Sequence, residues 1–482
     1  MLFTGIDIGG TNTDIAIVDG DVLTRKVPND AGLRGALDSI DVRGRLAVST
    51  SQPLNRLIAA PPASVYAITI PGPGLPSPGS VAGMVNHRGD ILEEIDPAAI
   101  RTALAEHAAE YLAICGKFSV RNPTLEEQVR AIALSFYPPE RIATSHGLAR
   151  LGFPARRVTT EVNARILEIV AAMARTISGY AQDFLFFKGD AGLASAGAVL
   201  RDPSVLFNSS PAAVALGARY LTGCSGCLVV DIGGTTTDLV PLREGAPCMQ
   251  DVRIDGNTAF IRSVQAESIP FGGDSVIEAH LCPRREGNPM AFGGMCPTLT
   301  DALNRCGASI GDAARSAHLD PDRAAQAIRA YVSRIAAGVR ASGAKTVVGA
   351  GFLADHLIPE IGREAGVRCI IPDHAACMNA IGVAVSRVSL SLDVHVDTGR
   401  RRVIVNGEPA PLRQEMDDDE LIAWCKEEVR QRALGMGAPE EDVAEVSLAY
   451  FSAYDVVRSG RRNERIADLQ VEIEPGITVD AK

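Results

Sequence analysis

Lysine is scarce in this 482-residue chain: six of its 47 basic residues, at positions 26, 117, 188, 345, 426 and 482, are lysines and the others are arginines. We read this as genomic composition bias, which makes each well-placed lysine more informative. Basic charge is also in deficit. With 58 acidic residues, dispersed along the chain, the net charge is −11, so there is no electrostatic footprint for nucleic acid or an anionic membrane. No apolar run reaches the roughly 18 residues of a membrane span. The opening MLFTGIDIGG goes straight into an apolar strand pattern without a basic region, so the expected location is cytoplasmic. Ten cysteines are too few, in a chain this long, for a disulfide scaffold. The one CxxC pair, Cys224 and Cys227, lacks a second pair, and His280, Cys282, Cys296 and Cys306 are irregularly spaced, so all are read as thiols without metal. What remains is a globular composition, 46% hydrophobic and 22% charged, with length for two to four domains.

The chain contains a repeat. Residues 6–14 read IDIGGTNTD and residues 230–238 read VDIGGTTTD. Each copy joins an apolar strand to a Gly-Gly-Thr turn and a second apolar strand, the pattern of a β-hairpin with glycines at its tip. Gly9, Gly10, Gly233 and Gly234 would let backbone N–H groups approach a phosphate, and Thr11, Thr13, Thr235 and Thr237 would add hydroxyl donors. Asp7 and Asp231, which close the first strand of each copy, are placed to hold hydrated Mg²⁺ or a water. Asp14 and Asp238 could orient an attacking group. Two copies half a chain apart imply two related lobes gripping one polyphosphate.

A third glycine cluster, VVGAGFLADHLIPEIG at 347–362, runs from a strand through Gly349 and Gly351 into a helix and fits an adenosine-binding turn. Gly272 and Gly273 could bring the start of a helix, capped by Asp274 and Ser275, up to an anion. Lys188, after the apolar strand DFLFF, is either a counter-charge for a phosphate or substrate carboxylate, or an exposed turn residue. His146 is either a proton carrier or a satisfied loop histidine. Thr124 and Glu127 read as a capping box, and Met173 as core.

In this order, the three glycine elements resemble the actin, sugar kinase and Hsp70 superfamily of ATPases, and more finely the hydantoinase A and 5-oxoprolinase family. The finer resemblance is carried by GGTNTD at 9–14, STSQPLNRLIA at 49–59, SVRNPTLEEQVRAI at 119–132, TSHGL at 144–148 and TTEVNARI at 159–166. It continues through NSSPAAVALGARYLTG at 208–223, PFGGDS at 270–275, PTLTDAL at 297–303 and DHAACMNAIG at 373–382. The chain departs from the family pattern at REGNPMAFGGMCP, residues 285–297, and at FKGDAG, residues 187–192.

The resemblance implies an α/β fold: a two-lobed actin-like ATPase built from duplicated ribonuclease H-like domains, with a small α/β C-terminal domain. The expected divisions are an N-terminal lobe at 1–159, an ATPase lobe at 160–390 and the C-terminal domain at 391–482, with four strands and a helix near 417–433 whose Trp424 is either part of its core or an exposed anchor for a partner. It further implies ATP and Mg²⁺ as cofactors and ATP-dependent opening of a cyclic amide or imide through phosphorylation of its carbonyl. The expected partners are a small-molecule substrate with an amide or ketone carbonyl and a hydantoinase B-like subunit. An ATP-dependent carboxylase subunit, or a reactivase that uses ATP to remodel a partner protein, are the alternatives.

Overall fold

The computed structural model describes residues 2–10, 12–28, 32–38, 44–58, 62–72, 79–410, 416–458 and 461–481. The first lobe is organised by the strand β1 (Phe3–Ile8), buried along its whole length, which folds back antiparallel onto β2 (Asn12–Asp19). β2 turns tightly into β3 (Asp21–Pro28), and β4 (Arg45–Thr50) lies parallel on the other side of β1. Two later strands, Phe184–Phe187 and Leu193–Ser195, extend this sheet to six by pairing beyond β4. The helix Met378–Val385 then returns so closely to β1 that a Cβ on Gly5 would overlap its backbone. The first lobe therefore does not end at residue 159, because its sheet and its covering helix take in residues 184–195 and 378–385.

Between β4 and these later strands sits an inserted unit. Its three parallel strands, Val65–Ile70, Tyr111–Gly116 and Ile142–Thr144, pack Ile68, Leu112 and Ile114 against Ile100, Leu125 and Val129 of two helices. The capping box expected at Thr124 is absent: Pro123 precedes the helix and no side chain caps it. Glu126, not Glu127, turns inward, where it accepts hydrogen bonds from the amides of Gly116 (2.6 Å), Ser145 (3.0 Å) and His146 (2.9 Å). The long helix Phe153–Ser178 fastens this unit to the first lobe, with Met173 in the same core as Ile6, Ile8 and Val48.

The second lobe repeats the central motif. The strand Cys227–Ile232 pairs antiparallel with Thr237–Arg243 and parallel with Thr346–Ala350, as β1 does with β2 and β4. The stretch expected to start a helix at Ser275 is instead a short strand, Ser275–Ile277, paired with Leu281–Arg285.

The C-terminal part has one strand more than expected, a five-stranded antiparallel sheet with the helix Asp418–Gly435 against it. Asp417 and Glu420 close a capping box at the start of that helix. Leu421, Cys425 and Val429 follow one another at four-residue spacing and are buried, whereas Trp424 falls at the edge of that stripe and is 37% exposed. Of the two expectations for Trp424, the core position is not the one it takes. The sheet shares its core with the first lobe: Leu392, Val394 and Leu469 belong to the same apolar cluster as Phe3, Val18 and Ala384. Buried ion pairs join it to the inserted unit, Arg88 to Asp397 (2.6 Å) and Glu464 (2.7 Å) and Arg121 to Asp468 (2.6 Å). Among the described residues no helix is long and apolar enough to cross a membrane.

Candidate nucleotide-type site between two hairpins

The two hairpins agree residue by residue. Asp7 stands opposite Asp14 and Ile8 opposite Thr13; Asp231 stands opposite Asp238 and Ile232 opposite Thr237. The tips close by the same bond, Gly9 N–H to the carbonyl of Asn12 and Gly233 N–H to the carbonyl of Thr236, each 3.0 Å. Because side chains alternate along a strand, directly opposite residues share a face, so each hairpin presents two carboxylates on one side.

Two polar residues link the hairpins. The Ser210 hydroxyl donates to Asp7 Oδ2 (3.3 Å), and Asn379 Nδ2 donates both to Ser210 (2.9 Å) and to Asp231 Oδ2 (3.3 Å). Their helices, Ser209–Thr222 and Met378–Val385, are held together at glycines. A Cβ on Gly217 would lie 2.1 Å from the Met378 carbonyl, and one on Gly382 1.8 Å from that of Ala213. Neither Ser210 nor Asn379 was expected from the sequence as a site residue.

Four carboxylates thus converge, and one lysine answers them. Lys26 Nζ lies 2.6 Å from Asp14 Oδ1, placed there by the register of β2 and β3, in which Asp14 faces Lys26. Burial pushes the Asp231 carboxyl up to about 7; Asp238 and Asp7 push the same way, while Asn379 and Lys26 oppose them. Burial likewise raises Asp14 to about 6, against the pull of Lys26. Asp7 and Asp238 are also raised by burial. Desolvation alone would lower the Lys26 ammonium, but Asp14 outweighs it and the group stays above its ordinary value. The cluster is short of positive charge.

This deficit suits a cation carried in with an anionic ligand. Among the described residues no three His, Cys, Asp or Glu side chains form a ready-made metal cage. The buried Asp7 Oδ1 lacks a geometrically satisfactory hydrogen-bond donor, and the hard carboxylate oxygens of Asp7 and Asp231, one in each hairpin, are of the type that Mg²⁺ takes, since it keeps waters and accepts one or two carboxylates plus phosphate.

Other expected residues are placed differently. Thr11 lies outside the described residues. Thr13 and Thr237 sit one position from the aspartates, hence on the opposite face, and are buried; the Thr237 hydroxyl is bonded to the Phe271 carbonyl (2.7 Å) and to Tyr331 (2.5 Å). They are core residues, not phosphate donors, whereas Thr235 is exposed at the tip. Gly10 is also exposed, with open space where a Cβ would stand. Gly272 and Gly273 support the second tip: the amides of Gly273 and Asp274 donate to the carbonyls of Gly233 (3.0 Å) and Gly234 (2.7 Å). Those two donors are engaged, and without a helix there the expected anion-binding N-terminus is not formed. Gly351, at φ +90°, abuts the carbonyl of Ile232 and so brings the third glycine turn to the second hairpin. Gly349 lies within its strand and makes room for Ile358, a packing role. Lys188 is held by Asp190 at 2.7 Å and lines a cavity that includes no hairpin residue. His146 is buried against Glu126, with Nδ1 2.8 Å from its carboxylate, the arrangement of a satisfied loop histidine.

A sequence profile described as hydantoinase/oxoprolinase matches residues 156–313, which include the second hairpin. The match is to that segment, about a third of the chain. Among solved structures, a nucleotide-free acetone carboxylase, from work on ATP-dependent acetone carboxylation, superposes with a TM-score of 0.71 at 18% identity, covering 100% of this chain and 83% of its own. The ATP-dependent caprolactamase from Pseudomonas jessenii superposes with a TM-score of 0.62 at 20% identity, covering 98% of this chain and 87% of its own. No curated protein matches the sequence. The matched segment is thus set within the two-lobed fold that this chain shares with those two structures.

Proposed function

We propose that the chain binds ATP with Mg²⁺ between the two hairpins and uses it to activate the carbonyl of a small cyclic amide or imide for hydrolytic opening. The observation that carries this reading is the bridge from Asp7 through Ser210 and Asn379 to Asp231, which joins the two hairpins, with Lys26 held against Asp14. When bound, ATP with Mg²⁺ supplies a γ-phosphoryl group for the carbonyl oxygen, leaving the carbon a better electrophile. The protein's part is positioning and charge stabilisation. Asp7 and Asp231 anchor the hydrated cation, and Ser210 and Asn379 hold those carboxylates in place. Asp14 fixes Lys26, whose ammonium is then available to a phosphate oxygen. Asp14 or Asp238 orients the attacking group.

Both structural neighbours support carbonyl activation, the caprolactamase with an amide and the acetone carboxylase with a ketone. The higher TM-score of the acetone carboxylase keeps ketone carboxylation as a second reading. The test is ATP turnover by the purified chain, alone and with a hydantoinase B-like subunit, against lactams, hydantoins and ketones with bicarbonate. Stimulation by lactams or hydantoins with release of the ring-opened product supports hydrolysis. Stimulation only by ketones with bicarbonate supports the second reading, and stimulation only by a partner protein supports a reactivase.

A further inference from the structure

A cavity of about 480 Å³ lies where the first lobe, the second lobe, the inserted unit and the C-terminal sheet meet. It is lined by five cationic side chains, Arg150, Lys188, Arg219, Arg262 and Arg387, and by three carboxylates, Asp190, Glu472 and Glu474, a surplus of two positive charges. Three of the cations are engaged within the protein. Lys188 pairs with Asp190, Arg387 Nε donates to the Glu474 carbonyl (2.6 Å), and Arg219 donates to the Gly245 carbonyl. Arg150 lies over the Phe260 ring, 5.7 Å from its centroid, and acts on Asp202 and Asp393 at longer range. Arg262 is exposed on its strand. Ser389 also lines the cavity. It is 3% exposed, and its hydroxyl has no hydrogen-bond partner among the described residues.

We propose that this cavity binds a small organic acid through its carboxylate, at a site separate from the hairpin cleft. Two guanidinium groups that form no close ion pair, those of Arg150 and Arg262, are donors of the kind a carboxylate needs. Leu216, Met249, Leu390 and Ile473 offer apolar surface to a short carbon skeleton. The apolar part of the lining favours an anion with a carbon skeleton over a bare anion such as phosphate. Leu216 and Arg219 are on the helix that carries Ser210; six residues from Ser210 to Leu216 at 1.5 Å each separate the cavity from the Asp7 contact by about 9 Å.

Calorimetric titration of the full chain with succinate, and with inorganic phosphate for comparison, tests the proposal. Succinate is expected to bind at one site per chain, phosphate at least about tenfold more weakly, and a saturating non-hydrolysable ATP analogue is expected not to compete. Arg262→Gln removes one of the two guanidinium groups that form no close ion pair, and Ala246→Asp adds a carboxylate at an exposed lining position; each should weaken succinate about tenfold while leaving the thermal midpoint unchanged. Absence of saturable succinate binding, phosphate binding as tight as succinate, unchanged affinity in both variants, or displacement by the ATP analogue would each overturn it.

Discussion

Replacing Asp231 by asparagine should make the protein more stable and less active, and the size of the first effect can be worked out. The carboxyl is moved from an ordinary 3.8 to about 7, chiefly by burial. Between those values the folded chain holds a proton that the unfolded chain has released, so this group lowers stability as pH rises. At 1.36 kcal/mol for each pH unit of the gap, the ceiling is about 4 kcal/mol by pH 8, falling below about 1 kcal/mol at pH 4. Sharing of charge with Asp7, Asp14 and Asp238 brings the expected figure to about 2–4 kcal/mol. Asparagine has nearly the same shape, can still accept from Asn379 through its carbonyl, and carries no charge. Urea denaturation of Asp231→Asn and the parent from pH 4.5 to 8 should show curves that draw together at low pH and separate as pH rises, with the variant more stable. ATP turnover should fall by about 10²-fold or more, the usual cost of losing one preorganised electrostatic group. A variant less stable than the parent at pH 8, or a stability difference that ignores pH, would refute the argument that Asp231 is kept charged at a cost because a ligand needs it.

Lys26→Met removes the cation facing Asp14, and affinity for an ATP analogue should fall at least about tenfold; unchanged affinity would take Lys26 out of the site. Arg88→Ala leaves Asp397, which has no exposed surface, without its guanidinium, at an expected cost of about 3–5 kcal/mol in thermal or chemical denaturation. A loss below about 1 kcal/mol would mean that the pair is solvated. Deleting residues 391–482 uncovers Phe3, Val18 and Ala384 of the first lobe, so the truncated chain should bind a hydrophobic dye and self-associate; a monodisperse truncation that ignores the dye would show that the shared core is dispensable.

The duplicated hairpins were legible in the sequence because a glycine tip between two apolar strands leaves little choice of local structure. The face of each threonine was legible too, since Thr13 and Thr237 are one residue from an aspartate and period-two alternation turns them into the core. Treating them as donors ignored that alternation. Lys26 had a readable signal: Gly20 lies midway between Asp14 and Lys26, so a tight turn there sets them opposite each other. Ser210 and Asn379 were hidden, because 169 residues separate them and only the close crossing of two helices brings them together. The lobe boundary failed for the same reason. Phe184–Phe187 rejoins β4 after the inserted unit, and no local pattern announces a strand that returns to a sheet begun so much earlier. The supposed helix at Ser275 shows the limit of capping signals: Asp274 and Ser275 look like caps, but the Asp274 amide and the Ser275 hydroxyl are committed to the glycine turn that supports the second hairpin.

The most direct test of the central claim is equilibrium binding of a non-hydrolysable ATP analogue, with Mg²⁺, to the parent chain and to Asp7→Ala and Asp231→Ala. If the two hairpins grip one polyphosphate, the parent binds one nucleotide per chain, and each substitution, though in a different lobe, weakens that same binding event by about tenfold or more. Two independent nucleotides per chain, or one whose affinity responds to only one of the two aspartates, would contradict it.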